Sequence, residues 1–157
     1  MKKTLELKDA TARKLYKDVP DWFKPMLEET FGKDFFSMKI TDRIKTYEDA
    51  CAEIGEMPID EKAMLSFGFT QDEIDYRKIK TITKALNEGW NVDWKDSDQK
   101  KWIPWFAMSS AGFVFRNAGY DCSYAYAGYG SRLCFKSSEL AEYAGTQFTE
   151  LYSAFII

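Results

Sequence analysis

The stretch KWIPWFAMSSAGFVFRN (101–117) decides the fold of this chain. Two apolar, aromatic runs flank the turn signal Ser-Ser-Ala-Gly, so the stretch predicts two strands that form a hairpin. CSYAYA (122–127) and SRLCFKS (131–137) are predicted as further strands. Residues 102–135 contain ten aromatic side chains and three charged ones. We therefore predict an antiparallel meander of three or four strands, in which Pro104 places the first strand at an edge or a bulge.

The residues that follow predict a helix that covers this sheet. From Ser137 onward, apolar residues recur at spacings of three and four: Leu140, Ala144, Phe148, Leu151 and Phe155. This spacing is typical of a helix with one buried face. We expect the C-terminal helix to pack on one face of the meander, and the apolar Ile156 and Ile157 follow it.

Helices are also predicted before the sheet. Thr70 and Glu73 match a capping box ahead of an apolar stripe made by Ile74, Ile79, Ile82 and Leu86. Thr46 has the position of a helix cap. Residues 1–45 are predicted to form a helical segment that either packs on the sheet or forms an arm. The prediction is a single α+β domain over residues 1–157, with residues 46–157 as its core.

Composition excludes several function classes. The net charge of −3 argues against general nucleic-acid binding, which needs a broad basic field. The chain has no histidine, which removes imidazole acid–base catalysis and histidine-bearing zinc sites. Three cysteines favour reduced thiols over a disulfide framework. Since the sequence shows no signal peptide or membrane-length apolar run, we expect a protein inside the cell, with no membrane partner and no cofactor.

Five stretches carry a resemblance to a known group. They are ARKLYKD (12–18), FKPMLEETFGKDFF (23–36), ITDRIKTYEDACAEIG (40–55), PWF (104–106) and GSRLCFKSSELAEYAGTQF (130–148). Together they resemble small proteins of Bacteroidetes and of their phages or prophages. The resemblance implies a bacterial host, a mobile element and a cytoplasmic location, and it carries over no catalytic residue.

The segment Gly128-Tyr129-Gly130-Ser131-Arg132 is the first candidate site. Backbone N–H groups of a glycine turn can bind an anion, and Arg132 with Lys136 would add positive charge. The spacing matches neither a P-loop nor a dinucleotide fingerprint. The alternative is an ordinary hairpin turn with Arg132 on the solvent face of a strand.

The aromatic residues of the meander are the second candidate. Those proposed to contact a ligand are Trp102, Trp105, Tyr124, Tyr126 and Tyr129. On an uncovered sheet face they would stack on a ligand or on a partner's side chains. If the N-terminal helices cover that face, the same rings belong to the core.

The remaining candidates are weaker. Asp93, Asp96 and Asp98 alternate as calcium ligands do, but the glycine and distal glutamate of an EF-hand loop are missing, which favours a solvated loop. Cys51 and Cys134 lie in apolar patterns typical of core residues.

Three functions stay open at this stage. The first is a non-catalytic binding protein of phage or prophage origin that engages a protein partner or a small anionic ligand through the aromatic sheet and the Gly-rich turn. The second is a virion-associated or assembly protein that works as a homo-oligomer. The third is a metal-dependent enzyme that acts on nucleotides or nucleic acid.

Overall fold

The helix predicted after Thr70 lies at the centre of the structure. This helix, α7, spans Gln71–Leu86. The Glu73 carboxylate accepts a hydrogen bond of 2.8 Å from the Thr70 backbone N–H, as the capping box predicts. The residues of the apolar stripe are all buried: Ile74, Ile79, Ile82 and Leu86. The predicted helix and its core-facing side are therefore confirmed.

Six shorter helices precede α7 in the part of the chain that the computed structural model describes, which comprises residues 7–110, 112–124 and 131–157. They are α1 (Asp9–Asp18), α2 (Lys24–Phe31), α3 (Lys33–Ser37), α4 (Ile40–Arg43), α5 (Tyr47–Ile54) and α6 (Glu61–Ser66). Thr46 caps α5, because its hydroxyl accepts a hydrogen bond of 3.1 Å from the Asp49 backbone N–H. Among the described helices, none is both long and apolar enough to span a membrane.

The first two predicted strands are confirmed as an antiparallel hairpin, here called the ribbon. β1 spans Lys101–Ser109 and β2 spans Gly112–Asp121. Trp105 pairs with Asn117 and Phe106 pairs with Phe115, so Arg116 is the extra residue of a β-bulge. Pro104 lies in β1, one residue before this irregularity. The sheet of the described residues has these two strands, and the fold class is α+β.

The predicted third and fourth strands are wrong wherever the structure describes them. Residues 122–124 lie outside any strand, and residues 125–130 fall outside the described part. SRLCFKS begins with a 3₁₀ turn at Ser131–Leu133. Strand pairing of this segment is limited, among described residues, to one bridge between Phe135 and Trp102. The meander of three or four strands is therefore reduced to the ribbon.

Asn87, at the end of α7, gives the physical reason. Its side-chain amide donates a hydrogen bond of 2.8 Å to the Cys134 carbonyl and accepts one of 3.0 Å from the Lys136 N–H. These backbone groups are thus bonded to a side chain instead of a strand. Three consecutive residues (Leu133, Cys134 and Phe135) are buried, whereas a strand with one covered face buries every second residue.

The predicted C-terminal helix forms in two parts. α8 spans Ser138–Gln147 and α9 spans Thr149–Ile156. The Thr149 hydroxyl donates hydrogen bonds to the carbonyls of Gly145 (2.6 Å) and Thr146 (3.0 Å), a local pattern that bends helices. α8 packs on both strands, with Gly145 against Phe115 and Pro104. The prediction that the chain's last helical region covers the sheet is confirmed.

The N-terminal segment is attached to other helices. Ala12 and Ile44 are buried, and α1 packs on α5. The Tyr143 hydroxyl of α8 donates a hydrogen bond to the Ile44 carbonyl, and the Gln147 amide donates one of 2.9 Å to the Lys45 carbonyl. These contacts tie residues 44 and 45 to the helix that covers the ribbon.

Candidate binding surface on the ribbon

The two tryptophans proposed as ligand contacts lie on opposite faces of β1. Trp102 is half-buried on the face that α8 covers, where its ring lies 4.7 Å from the ring of Tyr120. The Lys100 ammonium group lies 4.5 Å from the centre of the Tyr120 ring and 5.8 Å from that of Trp102. Trp105 is an odd number of residues away and points to the other face. The two rings therefore lie on different faces of the ribbon, and their assignment to a ligand stays a prediction.

The outer half of the ribbon exposes apolar side chains. Trp105 is 51% exposed and Val114 on the same face is 52% exposed. Met108, three residues after Trp105, lies on the opposite face near the hairpin end and is 66% exposed. The bulged Arg116 is also exposed. We call Trp105, Val114 and Arg116 the ribbon patch. Isolated surface hydrophobics are common, but a group of them on one hairpin is typical of a contact surface.

Gly119 holds the Trp105 indole against the strand. A Cβ atom at Gly119 would lie 2.5 Å from Trp105 Nε1, so the indole lies directly on the backbone of β2. This contact fixes the ring with its outer side in solvent. A rigid, half-exposed tryptophan is a frequent centre of protein–protein contacts because it offers a large area at low entropic cost.

The two cations proposed to bind an anion at the Gly-rich turn, Arg132 and Lys136, have different surroundings. The Lys136 ammonium group donates a hydrogen bond of 3.1 Å to Glu88, so its charge is already neutralised. Arg132 is exposed and lines a cleft of about 300 Å³ with Trp90 and Trp94. These two tryptophans were not among the predicted contacts, since they follow α7 in a segment without periodicity.

The other predicted contacts fall at the far end of the ribbon or beyond the described residues. Tyr124 is 76% exposed and follows β2. Tyr126, Tyr129 and the glycines of the turn lie outside the described part of the chain. Their assignment to a ligand stays a prediction.

Lys101 is a buried lysine that no sequence pattern predicted. Its ammonium group donates hydrogen bonds to the carbonyls of Asp96 (2.9 Å) and Cys122 (2.7 Å) and lies 5.3 Å from the centre of the Trp94 ring. A buried lysine requires such partners. It therefore fastens the loop before β1 to the end of β2, and its ammonium group is within cation–π range of the Trp94 ring.

The acidic loop uses its carboxylates for local hydrogen bonds. Asp93 accepts one of 2.8 Å from the Lys95 N–H, and Asp96 accepts one of 2.8 Å from the Asp98 N–H. These are turn-stabilising contacts. In the described ranges, no group of three potential metal ligands is close enough to hold an ion.

The two core cysteines are buried, as predicted. Burial raises the pKa of the Cys134 thiol to about 11 and also raises the pKa of Cys51. A raised pKa disfavours the nucleophilic thiolate at neutral pH. These residues therefore act as small apolar side chains.

Comparison with known proteins gave no match to any family model, curated protein or solved structure.

Proposed function

We propose that this chain is a non-catalytic binding protein that docks a partner protein through the ribbon patch. The observation that carries the proposal is Trp105, half-exposed and held on the Gly119 backbone, with Val114 beside it. Val114 lies opposite Ala107, two positions along β1 from Trp105, so the two side chains form a diagonal pair on one face. The matching partner surface has an apolar pocket for the indole.

The chemistry around the patch narrows the partner further. Arg116 adds one positive charge beside the apolar side chains, so the partner is expected to place a carboxylate near its apolar pocket. The phage or prophage origin, the Bacteroidetes host and the cytoplasmic location remain part of this proposal. They are supported by the resemblance of the motifs quoted above.

The proposal is tested with the purified partner. The wild-type chain is used as bait to isolate the partner from a lysate of the cells that express the chain. Calorimetry then measures the dissociation constant of the purified partner for wild type, Trp105→Ala and Trp22→Ala. Trp22 is the matched control because it is 73% exposed on the N-terminal segment. We expect Trp105→Ala to weaken binding by about 30-fold or more, as for a central interface tryptophan.

The control decides the interpretation. Trp22→Ala is expected to bind as wild type does, and circular dichroism of both variants is expected to match wild type. Equal affinity for wild type and Trp105→Ala would remove the ribbon patch as the docking surface.

Self-association is a second candidate, favoured by one observation. Ile156 and Ile157 are exposed at the end of α9, where apolar residues would otherwise be covered. A second copy of the chain is then the partner. Sedimentation equilibrium at increasing concentration tests this candidate, since an assembly protein would form a dimer or larger oligomer and a monomer throughout would contradict it.

A further inference from the structure

A second candidate site lies among the helices, away from the ribbon patch. A cavity of about 450 Å³ opens between α1, α3, α4, α5 and α7. Its lining includes five basic side chains (Arg13, Lys14, Lys17, Arg43 and Lys84) and two carboxylates (Glu53 and Glu88). We call it the basic cavity. An excess of three positive charges on one concave wall is unexpected in a chain whose net charge is −3.

Part of this charge has a structural explanation. Arg43 is almost fully buried and bridges Glu53 to Glu88, with 2.9 Å between its Nη2 and the Glu88 carboxylate. Arg13 lies 3.8 Å from the same Glu53. This network joins α1, α4, α5 and the end of α7, and buried charges require such pairing.

The network does not account for the lysines of the cavity. Lys14 and Lys17 are exposed on α1 and, within the described residues, neither forms an ion pair or a side-chain hydrogen bond. Lys84 donates a hydrogen bond of 2.6 Å to Glu56, through side chains that are both largely exposed. Folding alone would favour carboxylates, and not further cations, beside two guanidinium groups.

The pKa shifts of two neighbouring groups are consistent with a positive electrostatic field in the cavity. Burial and the nearby Arg43 lower the pKa of Arg13. Burial alone would raise the pKa of Glu88, yet Lys136, Arg43 and Lys17 together lower it. Lys17 is therefore close enough to the cavity wall to act on its charges.

An adjoining cavity shows that the charge is segregated. Arg13, Arg43 and Glu53 also line a second cavity of about 830 Å³. The other charged groups of that lining are Lys8 and five carboxylates: Asp9, Asp42, Glu48, Asp49 and Glu56. Arg13 and Arg43 thus line two cavities, one of which is otherwise mostly acidic and one mostly basic. The excess of positive charge is therefore confined to the basic cavity.

We propose that the basic cavity binds a multiply charged phosphate-type anion, with Lys14 and Lys17, which are unpaired among the described residues, contacting its oxygens. Several cations around one cavity match the many acceptor oxygens of linked phosphates. The volume lies within the range of small-molecule sites. Free pyrophosphate and the diphosphate group of a nucleotide share this chemistry.

The test is calorimetric titration of the full chain with pyrophosphate at low ionic strength. The variant Lys14→Gln/Lys17→Gln removes two cavity cations without touching the buried network. Lys62→Gln/Lys95→Gln is the matched control, because it makes the same charge change at exposed positions elsewhere. We expect the cavity variant to bind at least about tenfold more weakly and the control to bind as wild type does.

The outcomes separate specific binding from bulk charge. Equal weakening in both double variants, or no heat of binding with wild type, would overturn the proposal. Citrate binding as tightly as pyrophosphate would also overturn it, since a tricarboxylate lacks the phosphate chemistry. Tighter binding of ADP than of pyrophosphate would support a nucleotide as the source of the phosphates, and the reverse would support the free anion.

Discussion

The helical side of this molecule and the outer half of its ribbon expose opposite chemistry. Around the basic cavity, cations line a concave surface between helices, whereas the ribbon patch presents Trp105 and Val114 on one face of a hairpin. Charged clefts attract small ions and apolar patches attract macromolecules. This contrast is the basis for proposing two separate binding surfaces, one for an anion and one for a protein.

The largest expected effect comes from comparing a core ring with a patch ring. Phe135→Ala is expected to lower the free energy of unfolding by about 4 kcal/mol, because Phe135 is fully buried and its removal leaves a cavity. Trp105→Ala is expected to lower it by about 1 kcal/mol or less, because half of that side chain is already in water. Urea denaturation measures both. Equal losses would make Trp105 a core residue and would end its role in the proposed contact.

Smaller losses of unfolding free energy are expected from substituting two glycines, one in α8 against the ribbon and one in the ribbon itself. A Cβ at Gly145 would lie 2.9 Å from Pro104 Cβ and closer still to the Phe115 ring, in the packed contact between α8 and the sheet. Gly145→Ala is therefore expected to lower the free energy of unfolding by about 2 kcal/mol, although alanine is the better helix former.

Gly119→Ala, in β2, is its counterpart. Its Cβ would displace the Trp105 indole from the strand, but the indole is already half in solvent, so we expect a loss below about 1 kcal/mol. Thermal unfolding of the two variants side by side gives the comparison. A stabilising Gly145→Ala would show that α8 does not press on the ribbon.

The smallest effect is a pH dependence on the helical side. Hydrogen bonds from the Lys45 and Thr46 backbone N–H groups lower the pKa of Asp49, against the opposing effect of its burial. A lowered carboxyl pKa stabilises the fold above the ordinary aspartate pKa, and this stabilisation is lost as the pH falls through the folded-state pKa.

Asp49→Asn is therefore expected to lower the free energy of unfolding by about 1 kcal/mol at neutral pH, and by less in acid. Asp72→Asn, at an exposed position in the first turn of α7, is the matched control. Denaturation at a series of pH values measures the difference between each variant and wild type. A constant difference for Asp49→Asn at every pH would contradict the capping explanation.

Local signals in the sequence predicted the central helix and the hairpin. The Thr70–Glu73 capping box and the apolar stripe of α7 depend on neighbours within one helix, and both are present in the structure. The two strands of the ribbon flank a turn signal that is equally local. Such elements are predictable because the residues that stabilise them lie close together in the chain.

Long-range contacts account for what could not be predicted. The third strand failed because Asn87, far away in the chain, bonds to the backbone at Cys134 and Lys136. The two tryptophans lie on opposite faces because β1 alternates, with Trp102 half-buried and Trp105 half-exposed. The basic cavity combines residues of five helices, and no motif connects Lys14 with Arg43 or Lys84.

Separate recognition by the two surfaces is tested most directly by following backbone amide resonances of the labelled chain during titration with pyrophosphate. We expect the shifts to be confined to the helices that line the basic cavity, with the amides of Lys14, Lys17 and Gly89 among the largest. The ribbon amides from Trp105 to Val114 are expected to stay unchanged. Shifts of similar size in the ribbon, or shifts without any preference for α1 and the end of α7, would contradict the division between an anion-binding cavity and an apolar docking surface.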